Sequence, residues 1–207
     1  MLLLLLLSAW SLRYWQAWLY VGVFGASVSA ITWYLQTHDR ELLRRRLAAG
    51  PRAEKELRQK LIQQVASLAF ATMFIVSGLD RHFRSSLVST RLVLLGNVFV
   101  VAGLGVIFLT FRENSYASAI IDTASGQPVI STGPYAVVRH PMYAGALILL
   151  LGTPVALGSL WGLVPFLFLL ATIVWRLLDE ERLLARDLPG YQEYRLRVRY
   201  RLVPFLW

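Results

Sequence analysis

Long runs of uncharged apolar residues decide what this chain can fold into. Five stand out: about 14–35, 61–79, 92–111, 142–157 and 160–178. Four of them approach or reach the ~20 residues that a helix needs to cross a ~30 Å hydrocarbon core. The fourth run is short and carries Gly152 and Pro154, and it passes into the fifth through Gly158-Ser159. These two therefore read as a helical hairpin. The chain is 57% hydrophobic over 207 residues, above the 45–50% usual for a soluble domain. The expected fold is an all-α integral membrane protein with about five transmembrane helices, the last two a helical hairpin, and a polar pocket at the cytoplasmic end.

The first ten residues, "MLLLLLLSAW", hold a leucine run with no basic residue before it, and "SLRYWQ" is a poor cleavage site. They read as an interfacial or membrane-embedded prelude rather than a signal peptide. Trp10, Tyr14, Trp15 and Trp18 suit an aromatic belt at the bilayer boundary.

The net charge of +9 sits between the apolar runs. In a five-span arrangement, segments 36–60, 112–141 and 176–207 hold eight, two and seven Lys or Arg on one side. The other side holds Arg13, Arg81, Arg84 and Arg91. Seventeen against four is a positive-inside bias, which sets the N-terminus outside and the C-terminus in the cytoplasm. The same bias accounts for the basic charge without nucleic acid, for which no reading module is visible. Segment 36–60 reads as a solvated helical extension interrupted at Gly50-Pro51. Glu41 precedes Arg45 there at a supporting i,i+4 spacing.

Cysteine is absent, so disulfides, thiolate metal sites and cysteine nucleophiles are excluded. His38, His82 and His140 are scattered, so no metal is expected. No glycine-rich dinucleotide fingerprint or phosphate loop is present. The polar connection 112–141 is long for so small a membrane protein, and loops of that length usually carry function.

Two clusters carry the chemistry. In "TGPYAVVRHPMYAG", Pro141 suits a first helical turn, since its missing N–H has no partner to lose there. The N–H groups of Met142, Tyr143 and Ala144 are then expected to be free for an anion. His140 stands beside them, and Tyr143 and Tyr135 add aromatic hydroxyls. Gly145 admits a close neighbour. In the second cluster, "WRLLDEERLLARDLPGYQEYRLRVRYRLVP", Arg176 and Glu180 share a helix face at i,i+4, while Asp179 and Glu181 point elsewhere. Arg176 follows a long apolar run, and an ionisable group at such depth faces a cavity or a partner. Arg199, Tyr200 and Arg201 are candidates to cap the pocket. Gly96, Gly103 and Gly105 read as close-packing positions.

Taken in this order and spacing, "TGPYAVVRHPMYAG" and "EERLL…GYQEY…RVRYRLVP" resemble the membrane-integral methyltransferases. These include isoprenylcysteine carboxyl methyltransferase and the phospholipid N-methyltransferases. The resemblance covers residues 112–207, a methyltransferase-like region, and leaves 1–111 as N-terminal transmembrane helices with a basic cytoplasmic loop. It implies S-adenosylmethionine as cofactor and a lipid or lipid-like acceptor, a carboxylate or an amine. It implies cofactor contacts from Gln127, Val129, Ile130, Tyr135, His140, Pro141, Met142, Tyr143 and Glu180. Gln127 stands where the family usually has His. Arg176 is implied to contact the substrate, and Arg176 and Glu180 are the expected catalytic pair. Sterol-type membrane reductases using NADPH share a similar Arg-His-Pro-x-Tyr and terminal Tyr-x-x-Tyr pattern and form the alternative enzyme class. A non-catalytic lipid-binding membrane protein is the remaining alternative.

Overall fold

A computed structural model describes residues 1–47, 57–117 and 128–207. Among these the secondary structure is helical throughout: α1 (Leu2–Ala9), α2 (Trp15–His38), α3 (Arg40–Leu47), α4 (Leu57–Phe83), α5 (Thr90–Glu113), a 3-10 turn (Gly133–Ala136), α6 (Pro141–Ala156), α7 (Leu163–Asp187) and α8 (Tyr191–Arg197). Gly50-Pro51 and Gln127 lie outside the described residues.

Three helices, α2, α4 and α5, are long and apolar enough to cross a membrane. They leave large apolar side chains outward. On α4 Leu68 is 71% exposed, and on α5 Val98 is 60% exposed. Such surface is costly in water and is the ordinary surface of a helix in lipid. The protein is thus an all-α integral membrane protein. Helix α6 is apolar but only 16 residues long, about 24 Å at 1.5 Å per residue. Helix α7 runs 25 residues and takes Arg176, Asp179 and Glu180 into its second half.

The turn expected at Gly158-Ser159 is present, and Gly158 has φ +71°. It joins α6 to α7, but the intimate partner of α6 is α5. A Cβ on Gly96 would lie 2.3 Å from the Ala156 nitrogen, and one on Gly103 would lie 2.5 Å from the Gly145 carbonyl oxygen. These backbones touch, and only glycine permits it. Gly105 departs from the expectation, because its Cβ position meets nothing within 4 Å. Helix α7 packs mainly on α4, and α1 lies against the far end of α4, where a Cβ on Gly78 would strike Ser8.

The helix ends sort into two groups. Arg58 and Gln59 at the start of α4 reach Asp179 of α7, and Arg46 of α3 reaches Met142 at the start of α6. At the other end, the Tyr14 hydroxyl donates to the Leu157 carbonyl at 2.7 Å, and Asp80 of α4 meets Ser159 in the α6–α7 turn. Glu41 pairs with Arg45 at 3.4 Å on α3, as its spacing predicts.

Candidate functional site

The site is built where the start of α6 meets the second half of α7. His140 caps α6 and Pro141 opens it, so Pro141 has no N–H to satisfy. The amides of Met142 and Tyr143 lack an intrahelical acceptor. Ala144 differs from the expectation: its N–H donates to the His140 carbonyl at 3.1 Å, the first bond of the helix. Two backbone donors are therefore open at this helix start instead of three.

Glu180 and Tyr143 meet directly. The Tyr143 hydroxyl donates to Glu180 Oε2 at 2.6 Å, and Arg176 Nε donates to the same hydroxyl at 3.1 Å. Arg176 also donates to Gln59 Oε1 at 3.2 Å, and Gln59 in turn donates to Asp179. The expected pair, Arg176 and Glu180, is thus joined through one tyrosine. Asp179 does face elsewhere, toward α4.

Glu181 points away from the face of Arg176 and Glu180, as expected, yet it is not idle. It faces the site's own scaffold and is 4% exposed. Arg139 Nε donates to Oε1 at 2.7 Å, His140 Nε2 lies 3.3 Å from the same oxygen, and Arg201 Nε donates to Oε2 at 2.9 Å. Glu181 lies past the apolar part of α7. Burial pushes its carboxyl up, but the hydrogen bonds from His140, Arg201 and Arg139 outweigh burial and hold it at about 2. Arg139 also donates to the carbonyls of Val198 and Arg199, both at 3.0 Å, while its own N–H bonds the Tyr200 carbonyl. The His140 N–H bonds the Arg201 carbonyl at 3.0 Å. Segment 198–201 is thereby laced to the start of α6. The sequence assigned Arg139 no role, although it stands beside His140 at the mouth of α6.

The upstream turn is held by α5. Gly133 sits at φ +55°, and Thr132 hydrogen-bonds Glu113. This places the Tyr135 hydroxyl where Asn114 donates to it at 3.0 Å, and the Tyr194 hydroxyl donates to the Tyr135 carbonyl. Burial pushes the Tyr135 phenol up to about 12, so it stays protonated.

These elements enclose a cleft of about 800 Å³, counting its open mouth. Val129, Ile130, Tyr135, His140, Pro141, Met142, Tyr143 and Glu180 line it, so the structure brings together every described cofactor candidate. Asn114, Tyr191 and Tyr194 line it as well. Tyr191 is 4% exposed, and its hydroxyl has no hydrogen-bond partner among the described residues. A buried phenol without a partner costs about 1–3 kcal/mol, and a bound polar ligand would remove that cost. A second cavity of about 910 Å³ lies between α4, α5, α6 and α7, and Met142, Tyr143 and Glu180 border it too. No cluster of three His, Asp or Glu side chains able to hold a metal occurs among the described residues.

Residues 90–188, from α5 to the end of α7, match the phospholipid methyltransferase family. Over that stretch the chain is similar to this family. The matched stretch holds the helix pair and the Tyr143–Glu180 contact. The chain is also similar to the Delta(14)-sterol reductase of Mus musculus, 35% identical over 107 residues. That alignment covers 47% of this chain and 25% of the reductase, so the chain spans about a quarter of that relative's length.

Proposed function

We propose that the protein is an S-adenosylmethionine-dependent methyltransferase that acts on a lipid or lipid-like acceptor at the cytoplasmic face of a membrane. The observation that carries this reading is the first cleft. It combines two open backbone N–H groups at a helix start, the Glu180 carboxylate, an unsatisfied Tyr191 hydroxyl and the Tyr135 ring. That donor set suits a zwitterion bearing an extra cation and a flat ring.

When bound, S-adenosylmethionine supplies an electrophilic methyl group on a sulfonium. The amides of Met142 and Tyr143 would receive its carboxylate, and Glu180 would attract its positive end. Tyr135 and Tyr191 offer ring contact and a hydroxyl partner. The protein's task is then to bring two molecules into line at a dry site, where positioning alone supplies about 7–11 kcal/mol. A carboxylate acceptor needs no base. An amine acceptor must also lose a proton, which Glu180 can take.

Five crossings are proposed, with α6 and α7 added to the three apolar spans, the N-terminus outside and the site cytoplasmic. The sorting of helix ends into two groups and the basic bias both support that arrangement. The functional unit is proposed to begin with α5, ahead of residue 112, because α5 packs on α6 backbone to backbone.

A sterol-type reductase using NADPH is the second reading, favoured by the similarity to the mouse sterol reductase. Titration of purified protein with S-adenosylmethionine and with NADPH separates the two. Saturable binding of the first alone supports methyl transfer, and binding of NADPH alone overturns it. Radiolabelled methyl transfer to a total membrane lipid extract then identifies the product.

A further inference from the structure

Helix α7 borders a third recess, of about 900 Å³ counting its open mouth, on the face turned away from the donor cleft. Leu178, Arg182 and Arg186 line it at i,i+4 spacing, so one face of α7 supplies them together. Gly190, at φ +83°, turns the chain back into α8, which adds Arg195, and the segment after α8 adds Arg201. Among the described residues the acidic group in this lining is Glu181. Its oxygens already meet Arg139, His140 and Arg201. Arg186 pairs with Asp187 beside it. Arg182 and Arg195 have no ion pair or hydrogen bond among the described residues. A positive-inside bias explains basic residues at this end of the bundle, but not their convergence from three elements on one concave face.

Depth and surroundings say what the recess meets. Arg182 stands nineteen residues beyond Leu163, the first residue of α7, or about 29 Å along the axis. A hydrocarbon core is ~30 Å thick, so the recess opens at the level of lipid headgroups. Leu196, next to Arg195, is exposed, as are Phe205 and Leu206 in the turn that the Trp207 carbonyl closes on Arg201, Leu202 and Val203. The Trp207 ring lies 5.1 Å from the Arg201 guanidinium. A basic recess flanked by exposed apolar side chains and a tryptophan suits the boundary of a bilayer and not open water.

We infer that this recess seats the phosphodiester headgroup of an anionic phospholipid from the surrounding leaflet, held chiefly by Arg182 and Arg195. Guanidiniums match phosphate oxygens in geometry as well as charge. The seat is separate from the donor cleft and holds whether or not the protein transfers methyl groups.

The test titrates full-length protein in dodecyl maltoside with fluorescent phosphatidylglycerol and fluorescent phosphatidylcholine, read by anisotropy at about 0.15 M salt. Phosphatidylglycerol is expected to saturate at least tenfold more tightly. Arg182→Gln and Arg195→Gln should each weaken it about fivefold. Neither side chain has a bond to lose within the described protein, so both variants should melt as the unaltered protein does without anionic lipid. Arg197→Gln removes the same charge from α8 at an exposed position outside the recess and should leave binding within twofold. Equal affinity for the two lipids, unchanged binding in both R182Q and R195Q, or an equal loss in R197Q overturns the seat. Full displacement of phosphatidylglycerol by millimolar inorganic phosphate also overturns it, in favour of a soluble anion.

Discussion

Asp80 and Glu181 are both buried carboxylates, at opposite ends of α6, and they are satisfied by different chemistry. Glu181 is met by Arg139, His140 and Arg201. Asp80 is met by hydroxyls: Ser86 and Ser159 each donate to Oδ2 at 2.6 Å, with the Trp161 N–H at 3.4 Å, while Oδ1 has no partner among the described residues. The charged network fastens segment 198–201 and the start of α6 around a cleft. The neutral one closes the α6–α7 turn onto α4. The carboxylate enclosed by cations ties the chain's C-terminal segment to the site, whereas the one enclosed by hydroxyls ties two turns, the α4–α5 connection and the α6–α7 turn, at the other end.

The comparison can be broken most forcefully at Arg139. Arg139→Ala removes one of the two guanidiniums that meet buried Glu181 and also frees the Val198 and Arg199 carbonyls, and is expected to cost about 3–5 kcal/mol, read by thermal melting in detergent. Asp80→Asn, which keeps an acceptor for the serines, should cost about 1 kcal/mol. Equal losses would erase the distinction.

Acid sharpens it next. Glu181 is held at about 2 in the folded protein against its ordinary 4.5. A carboxyl with a depressed folded value contributes stability above its unfolded value and loses it as pH falls toward the folded one. About 3 kcal/mol should therefore disappear between pH 4.5 and 2. Glu181→Gln should remove that part of the acid slope, and an unchanged slope would refute it.

The middle of α5 and α6 gives a smaller contrast. Gly103→Ala pushes two touching backbones apart and should cost about 1–3 kcal/mol in a chemical or thermal melt. Gly105→Ala enters open space and should be neutral or slightly stabilising. The smallest effect on stability belongs to Tyr191→Phe, since its hydroxyl has nothing to lose. Donor binding, measured by calorimetry, should nevertheless weaken severalfold, because a hydrogen bond to the ligand is removed.

Much of the fold could be read from hydropathy. The run 92–111 became Thr90–Glu113, and 142–157 became Pro141–Ala156. The meeting of positions near 140 and 180 was legible too, because helix periodicity puts Arg176 and Glu180 on one face. Glu181 was not legible for the same reason. A helical wheel reports which face a residue occupies, but not that α6 and segment 198–201 flank α7 on two faces. Ala144 was misread because the register of the first helical bond depends on where the cap falls, here His140. Gly105 shows that a glycine stripe does not identify which members touch a partner. Asp80 gave no signal, since its partners lie 79 and 6 residues away in sequence.

Tyr143 and Glu180 form a party wall: each borders both cavities, and one short hydrogen bond joins them. A donor that engages Glu180 competes with that bond and so alters the surface offered to whatever lies next door. Occupancy on one side must then change affinity on the other, by the same factor in both directions. Saturation curves for either ligand should therefore shift when the other is present, which would make the order of loading a property of this single contact.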